Sequence, residues 1–300
     1  ANLQGIYIGY NLRFQAAFGA AMPFYMKIAT VVPSTTKSNT YAWMDKIPKM
    51  RKWVGDRVIQ NLAARAYTLE NEKFELTLGI SADDIEDDQI GVYQPSVDMM
   101  GQSAATYPDD LMAVLMKNGQ VNVAHDGQFF FDTDHPINLD DASAGTQSNF
   151  LTGLALNPAN FASARAQMMS WVGADSKNLG AKPTILAVPP LLENMARVIA
   201  EAENISVAGG STQTNVYKGA VEVVVIGDLA GGVADTEWYL LDTSKPIRPF
   251  VFQNRKSPVF TMHTDPKDPS VLQRDEFIYE AKARGAAGYS LWFLALKARA

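Results

Sequence analysis

Two stretches of alternating apolar and polar residues frame a long excursion between Lys27 and Ile80. No other feature of the chain constrains its fold as much. "KIATVV" reads as a strand and "PSTTKSNT" as a polar, turn-rich stretch. "RAYTLENEKFELTLGIS" then alternates, with Tyr67, Leu69, Phe74, Leu76 and Leu78 among Thr68, Glu70, Glu75 and Thr77, and a bend at "ENEK". Strand-like arms around such an excursion predict a protruding β-hairpin rather than a compact domain. A lone hairpin is at best marginally stable in water, so this one needs a surface to lie on.

The excursion contains "YAWMDKIPKMRKWVGDR", which sets Tyr41, Trp43 and Trp53 among Lys46, Lys49, Arg51, Lys52 and Arg57. The chain around it is acidic, with 26 Lys plus Arg against 32 Asp plus Glu and a net charge of −6. A basic aromatic run suits a local nucleic-acid patch. The overall charge excludes general affinity for polyanions, so any such contact is confined to the run. The same side chains suit contact with another copy of the chain, where Trp43, Trp53, Met44 and Met50 become anchors that offset the ordering of the hairpin. Downstream, "ISADDIEDD" gathers Asp83, Asp84, Glu86, Asp87 and Asp88. A cation site is one reading, but the spacing lacks the Gly and terminal Glu of a calcium loop. The simpler reading is a helix N-terminus whose acids face the macrodipole and water.

Elsewhere the periodicities alternate between helix and strand. Leu3, Ile6, Tyr7, Tyr10, Phe14, Ala17 and Phe18 form a helical stripe that Gly19 and Pro23 close; it must bury against the chain's own core or a neighbouring subunit. From Tyr93 to Lys117, Val97, Met100, Ala104, Leu111, Val114 and Leu115 define another stripe. Pro95 sits near its start, Pro108 either kinks it or begins a second helix, and Gly119 stops it. Residues 138–233 read as a small α/β unit. It has a helix capped by Asn157 with Pro158 at its first position, and a buried strand "KPTILAVPP". A helix with Leu191, Leu192, Met195, Val198, Ile199 and Ala202 inward follows, then an exposed loop "VAGGSTQTN" and a strand "YKGAVEVVVIGDL". The end returns to β, with short strands "TEWYLLD", "PFVFQN" and "SPVFTMH" and two longer ones around a turn at Gly285–Gly288.

Catalytic patterns are missing from this record. There is no cysteine, which rules out disulfides, thiol nucleophiles and thiolate metal sites. Neither a phosphate loop nor a G-x-S-x-G elbow occurs. "HDGQFFFDTDHP" brings His125, Asp126, Asp132, Asp134 and His135 together, a composition suited to zinc or to acid–base chemistry. It has no H-x-x-x-H or H-E-x-x-H spacing, and Phe129, Phe130 and Phe131 within it read as a buried anchor in a structured loop. No catalytic residue, cofactor or metal is expected. No apolar run approaches the roughly 20 residues that cross a bilayer, and "ANLQGIYIGYNLRF" lacks the build of a secretory signal. Folding in the cytoplasm is the expectation, from a chain that has lost its initiator Met.

The order "NTYAWMDKIPKMRKWVGDR", "FELTLGISADDIEDDQIGVYQP", "MGQSAATYPDDLMAVLM" and "DGQFFFDTDHP" resembles the major head subunits of Mu-like phages and prophages, closely over Lys27 to Pro136. The resemblance implies an α+β chain of the Hong Kong 97-type capsid fold. It implies an N-terminal arm at 1–28 and an extended β-hairpin loop at 29–80. A peripheral domain with a long spine helix would take 81–137 and 237–300, and an axial α/β domain 138–236. It further implies self-assembly into hexamers and pentamers of an icosahedral shell around double-stranded DNA, with scaffold, portal and decoration proteins as partners, no enzymatic activity and no membrane. The basic residues from Lys46 to Arg57 would then face acids on an adjacent subunit, the Asp83–Asp88 run being one candidate. A nucleic-acid-binding protein and a cargo-holding compartment of the same fold are the alternatives.

Overall fold

The computed structural model describes residues 3–41, 67–86, 89–206, 212–265, 271 and 275–300. The N-terminal stripe forms a helix, Leu3–Ala20, followed by a single turn, Tyr25–Ile28, that leads into the strand Ala29–Pro33. The second stripe is one long helix, Gln94–Asn118, which runs through Pro108. Proline removes the donor to the carbonyl four residues back, yet the helix continues because both halves are held by packing. Its buried face holds Val97, Met100 and Gly101 before the proline and Met112, Ala113, Leu115 and Met116 after it. Val114, expected inside, is 52% exposed.

Two sheets organise the described residues. The first has the order Ala29–Pro33, Phe250–His263, Glu276–Tyr289, Glu72–Ser81, parallel at the first pair and antiparallel at the others. The second has the order Glu222–Val225, Ile185–Val188, Glu237–Leu241, Ala295–Arg299, Phe150–Leu151. Helices Pro158–Ser170 and Glu193–Glu201 pack on this second sheet. Asn157 caps the former by accepting the Asn160 amide at 2.9 Å, with Phe161, Ala164 and Met168 buried as the spacing predicts.

The larger core runs continuously from the second sheet into the first, through Trp238, Tyr239, Phe130, Phe131, Phe250 and Tyr289. A smaller core docks the N-terminal helix on its own chain. Tyr10 meets Tyr279 edge-on at 5.2 Å, and Phe14 stacks on Phe260 at 5.1 Å, with Val97, Met100 and Ile80 beneath. The stripe is thus buried by its own molecule. Close approach to the long helix depends on Gly101, where a Cβ would lie 2.6 Å from the Phe14 carbonyl oxygen.

Several expectations need correction. "PFVFQN" and "SPVFTMH" are one strand, Phe250–His263, whose pairing shifts register between Asn254 and Val259. Gly285 and Gly288 lie inside the strand Glu276–Tyr289 and make no turn. They are needed for close approach: a Cβ would come within 2.8 Å of the Gln253 oxygen at Gly285, and within 2.5 Å of Leu69 at Gly288. The helix expected from Leu191 starts at Glu193, because Pro190–Leu192 form a 3₁₀ turn that resets the phase. Its buried face is Ala196, Ile199 and Ala200, while Leu191 is 70% exposed. Glu237–Leu241 and Ala295–Arg299 are central strands of the second sheet, whereas Ala29–Pro33 and Glu72–Ser81 are edge strands of the first.

Candidate functional site

Ser38–Tyr41, expected to belong to a polar turn, is a strand that runs antiparallel to Tyr67–Glu70 in a two-stranded ribbon, while the expected arm Ala29–Pro33 pairs with Phe250–His263 instead. The ribbon's base is fastened to the first sheet by buried polar contacts. The Tyr41 hydroxyl donates to Gln253 Oε1 at 2.9 Å, and Gln253 Nε2 donates to the Leu69 carbonyl at 3.4 Å. The Tyr289 amide donates to the Tyr67 hydroxyl at 3.2 Å, over the space that Gly288 leaves open. Below the ribbon, Asn71 Nδ2 donates to Ser34 Oγ at 2.9 Å and to the Thr36 carbonyl at 3.0 Å. Burial of these partners raises the Tyr41 and Tyr67 hydroxyls above the ordinary tyrosine range, so they serve as neutral hydrogen-bonding groups.

Tyr41, expected at a subunit contact, is 4% exposed and belongs to its own chain's core. Trp43, Lys46, Lys49, Arg51, Lys52, Trp53, Arg57, Asp87 and Asp88 lie outside the described residues. Asp83 and Asp84 occupy the first turn of the short helix Ala82–Glu86, in agreement with the helix-start reading. Asp83 is exposed; Asp84 is half-buried and accepts a hydrogen bond from the Tyr93 hydroxyl.

The His-rich loop is a structural knot. His135 is completely buried, with Nδ1 2.6 Å from Asp126 Oδ2 and Nε2 3.0 Å from Asn149 Oδ1. Asn149 Nδ2 donates to the carbonyls of Phe130, Trp292 and Ala295, which fixes its Oδ1 as an acceptor. His135 Nε2 therefore carries hydrogen, and Nδ1 is engaged by the Asp126 carboxyl. With the ring stacked on Trp292 at 4.3 Å, neither nitrogen presents a lone pair to a metal. Phe130 and Phe131 are buried as expected, and Phe129 is 42% exposed.

A second buried pair gave only a faint sequence signal, a single Lys in the apolar run "LWFLALKA". Lys297 Nζ lies 2.8 Å from Glu237 Oε1, and the Tyr239 hydroxyl donates to Glu237 Oε2 at 2.8 Å. The ammonium sits over the rings of Tyr239 and Phe131. Burial lowers the lysine's pKa, against the pull of Glu237.

The surface offers contacts more than chemistry. A groove of about 150 Å³ runs between the long helix and the edge strand Glu72–Ser81, with Phe74, Leu76, Ala104, Tyr107, Pro258 and Ala281 in its walls. Leu191 and Val233 stand exposed on two 3₁₀ turns that touch each other at the far end of the second sheet. Ile8 and Leu12 project from the outer face of the N-terminal helix. Among the described residues no cluster of three or more His, Cys, Asp or Glu could hold a metal, and no helix is long and apolar enough to cross a membrane.

Known proteins share this arrangement. The family described as Mu-like prophage major head subunit gpT matches residues 3–155, 152–229 and 226–300. The major capsid protein of Escherichia phage Mu is 32% identical over 99% of this chain and 73% of its own length. The procapsid chain of bacteriophage JBD30 superposes with a TM-score of 0.61 at 31% identity, covering 99% of this chain and 75% of that one. The capsid chain of cyanophage P-SCSP1u, at 12% identity, shares the fold with a TM-score of 0.56 over 93% of this chain and 88% of its own.

Proposed function

The chain belongs to the family of Mu-like prophage major head subunits, and from that premise we propose how its parts build a shell. It is a major capsid protein of the Hong Kong 97 type, a structural component of the phage head. Copies associate as hexamers and pentamers into an icosahedral wall around double-stranded DNA, assembled in the host cytoplasm with scaffold, portal and decoration proteins. The first sheet with the long helix serves as the peripheral domain, the second sheet with its two helices as the axial domain, and the ribbon as the root of the extended loop. The observation that carries this reading is the likeness to the JBD30 procapsid chain over 99% of the molecule.

The ribbon's fixed base supports a role for residues 42–66 at a neighbouring copy. Tyr41, Tyr67 and Leu69 tie the base down, which fixes the described residues on both sides of that segment. Trp43 and Trp53 act there as apolar anchors, and Lys46, Lys49, Arg51, Lys52 and Arg57 as partners for acids. Exposed Asp83 on the helix Ala82–Glu86 is one such acid. Trp53→Ala, and Glu at positions 51 and 52 together, are expected to lower the yield of closed particles in negative-stain micrographs while circular dichroism stays unchanged. Normal particle yield from both variants contradicts the assignment.

A further inference from the structure

A row of three cations crosses the first sheet and ends at its edge. Lys256 stands opposite Arg284, and Arg284 opposite Lys73, on three neighbouring strands. Like charges directly opposite one another destabilise a sheet. Among the described residues none of the three has an ion-pair partner, and the Arg284 Nε is buried without a hydrogen bond. The nearby acids are engaged elsewhere: Glu280 with Lys282, His263 and Thr261, and Glu75 with the Thr77 hydroxyl at 2.6 Å.

Lys73 lies on the edge strand Glu72–Ser81, ten residues without proline, whose outer side has no partner strand among the described residues. Only a strand added there can set an acid directly opposite Lys73. An edge lysine ordinarily guards against pairing, but this strand carries its own complement. In an antiparallel pair centred on Phe74, Lys73 of each copy faces Glu75 of the other. Centring on Lys73 or on Glu75 would instead oppose like charges. The register on Phe74 also keeps equivalent faces together, so both long helices lie on one side of the joined sheet.

We propose that the strand Glu72–Ser81 pairs with the same strand of a second copy about a two-fold axis at Phe74. The row then continues from Lys256, Arg284 and Lys73 into Glu75 and Lys282 of the second copy, where charges alternate. On the opposite face the two Phe74 rings come side by side. Each is already packed on its own Tyr107 at 5.0 Å in the groove beside the long helix, and Leu76, 37% exposed, lies next to them. The contact is isologous, the same surface on both partners. It rests on the shell reading only for the presence of a second copy, and it is separate from residues 42–66.

Disulfide trapping of the full chain tests this, because the sequence has no cysteine and an introduced thiol is the only one. Directly opposite residues lie about 4.5–5.5 Å apart at Cα, within reach of a disulfide. Phe74→Cys treated with diamide is expected to give a linked dimer as the main product. Thr77→Cys on the same strand is expected to stay unlinked, since the two copies of that position lie about 20 Å apart. Adding Lys73→Glu to Phe74→Cys is expected to slow linking about tenfold, and adding Glu75→Lys as well to restore it. Should Phe74→Cys fail to fold, Lys73→Cys mixed with Glu75→Cys decides: both positions are exposed, and linking is expected in the mixture far above either variant alone. Absence of a linked dimer from both reporters overturns the proposal even where particles form, and leaves the shell reading standing. Equal linking from Thr77→Cys, or linking indifferent to the charge at position 73, also overturns it. Linked dimers with the expected charge dependence support it even where no particles form.

Discussion

Replacing Gly101 by alanine isolates the contact that fixes the N-terminal helix. The added Cβ would stand 2.6 Å from the Phe14 carbonyl oxygen, 2.9 Å from the Ala17 Cβ and 3.1 Å from the Phe18 amide nitrogen. The obstruction is mostly backbone, so no flexible side chain can swing aside and the helix Leu3–Ala20 must move as a body. Overpacking of this kind costs about 1–3 kcal/mol. Alanine recovers about 1 kcal/mol in helix propensity over glycine. Outward movement also loosens Tyr10 and Phe14, each contributing about 1.5–3 kcal/mol when fully buried. The balance is a loss of about 1–2 kcal/mol in docking, or a 5- to 30-fold rise in the opening of this helix. Hydrogen exchange resolved along the full chain reads it directly, with the exposed Gln102→Ala as the control on the same helix. Unchanged or increased protection over Leu3–Ala20 in Gly101→Ala would refute the reasoning, since propensity alone predicts that direction.

Three further changes test the buried polar groups. Asp126→Ala leaves His135 in a sealed site without its partner and is expected to cost about 3–5 kcal/mol in urea unfolding. Lys297→Met strands Glu237 in the core and is expected to cost a similar 3–5 kcal/mol or so, whereas Lys297→Met with Glu237→Gln is expected to recover most of that loss. Burial would raise the pKa of Glu280, but hydrogen bonds from Lys282, His263 and Thr261 outweigh burial and hold it at about 2. Its contribution is present above the ordinary glutamate value and lost as pH falls toward about 2, so Glu280→Gln is expected to flatten the acid limb of a stability–pH curve in that window.

Elements whose signal is local were legible in the sequence, and those that depend on distant partners were not. The stripe through Tyr10 and Phe14, the Asn157 cap with Pro158, and the alternation from Phe74 to Ile80 each state their own conformation. Pro108 did not reveal whether one helix or two would form, because the packing that holds its flanks together comes from other elements. Gly285 and Gly288 read as a turn by composition; their task is set by Gln253 and Leu69, brought alongside by the sheet. Leu191 and Met195 fit an inward stripe only if the helix begins early, and the 3₁₀ turn at Pro190 shifts the phase by enough to turn Leu191 outward. At the candidate interface, the arm Tyr67–Glu70 was visible from its alternation, whereas its partner strand Ser38–Tyr41 lay in a stretch that reads as a polar turn, and the hydrogen-bond partner of Tyr41, Gln253, lies 212 residues away. Asp109, whose carboxyl accepts the Phe24 and Tyr25 amides, gave no local sign of that capping contact, since both donors lie 85 and 84 residues earlier.

Cryo-electron microscopy of the chain produced together with the products of its neighbouring genes tests the central claim most directly. Closed icosahedral particles are expected, each copy showing the two sheets and the long helix described above, with density for residues 42–66 lying against an adjacent copy. A concentrated preparation that stays monodisperse as single chains, with those helper proteins present, would contradict the account.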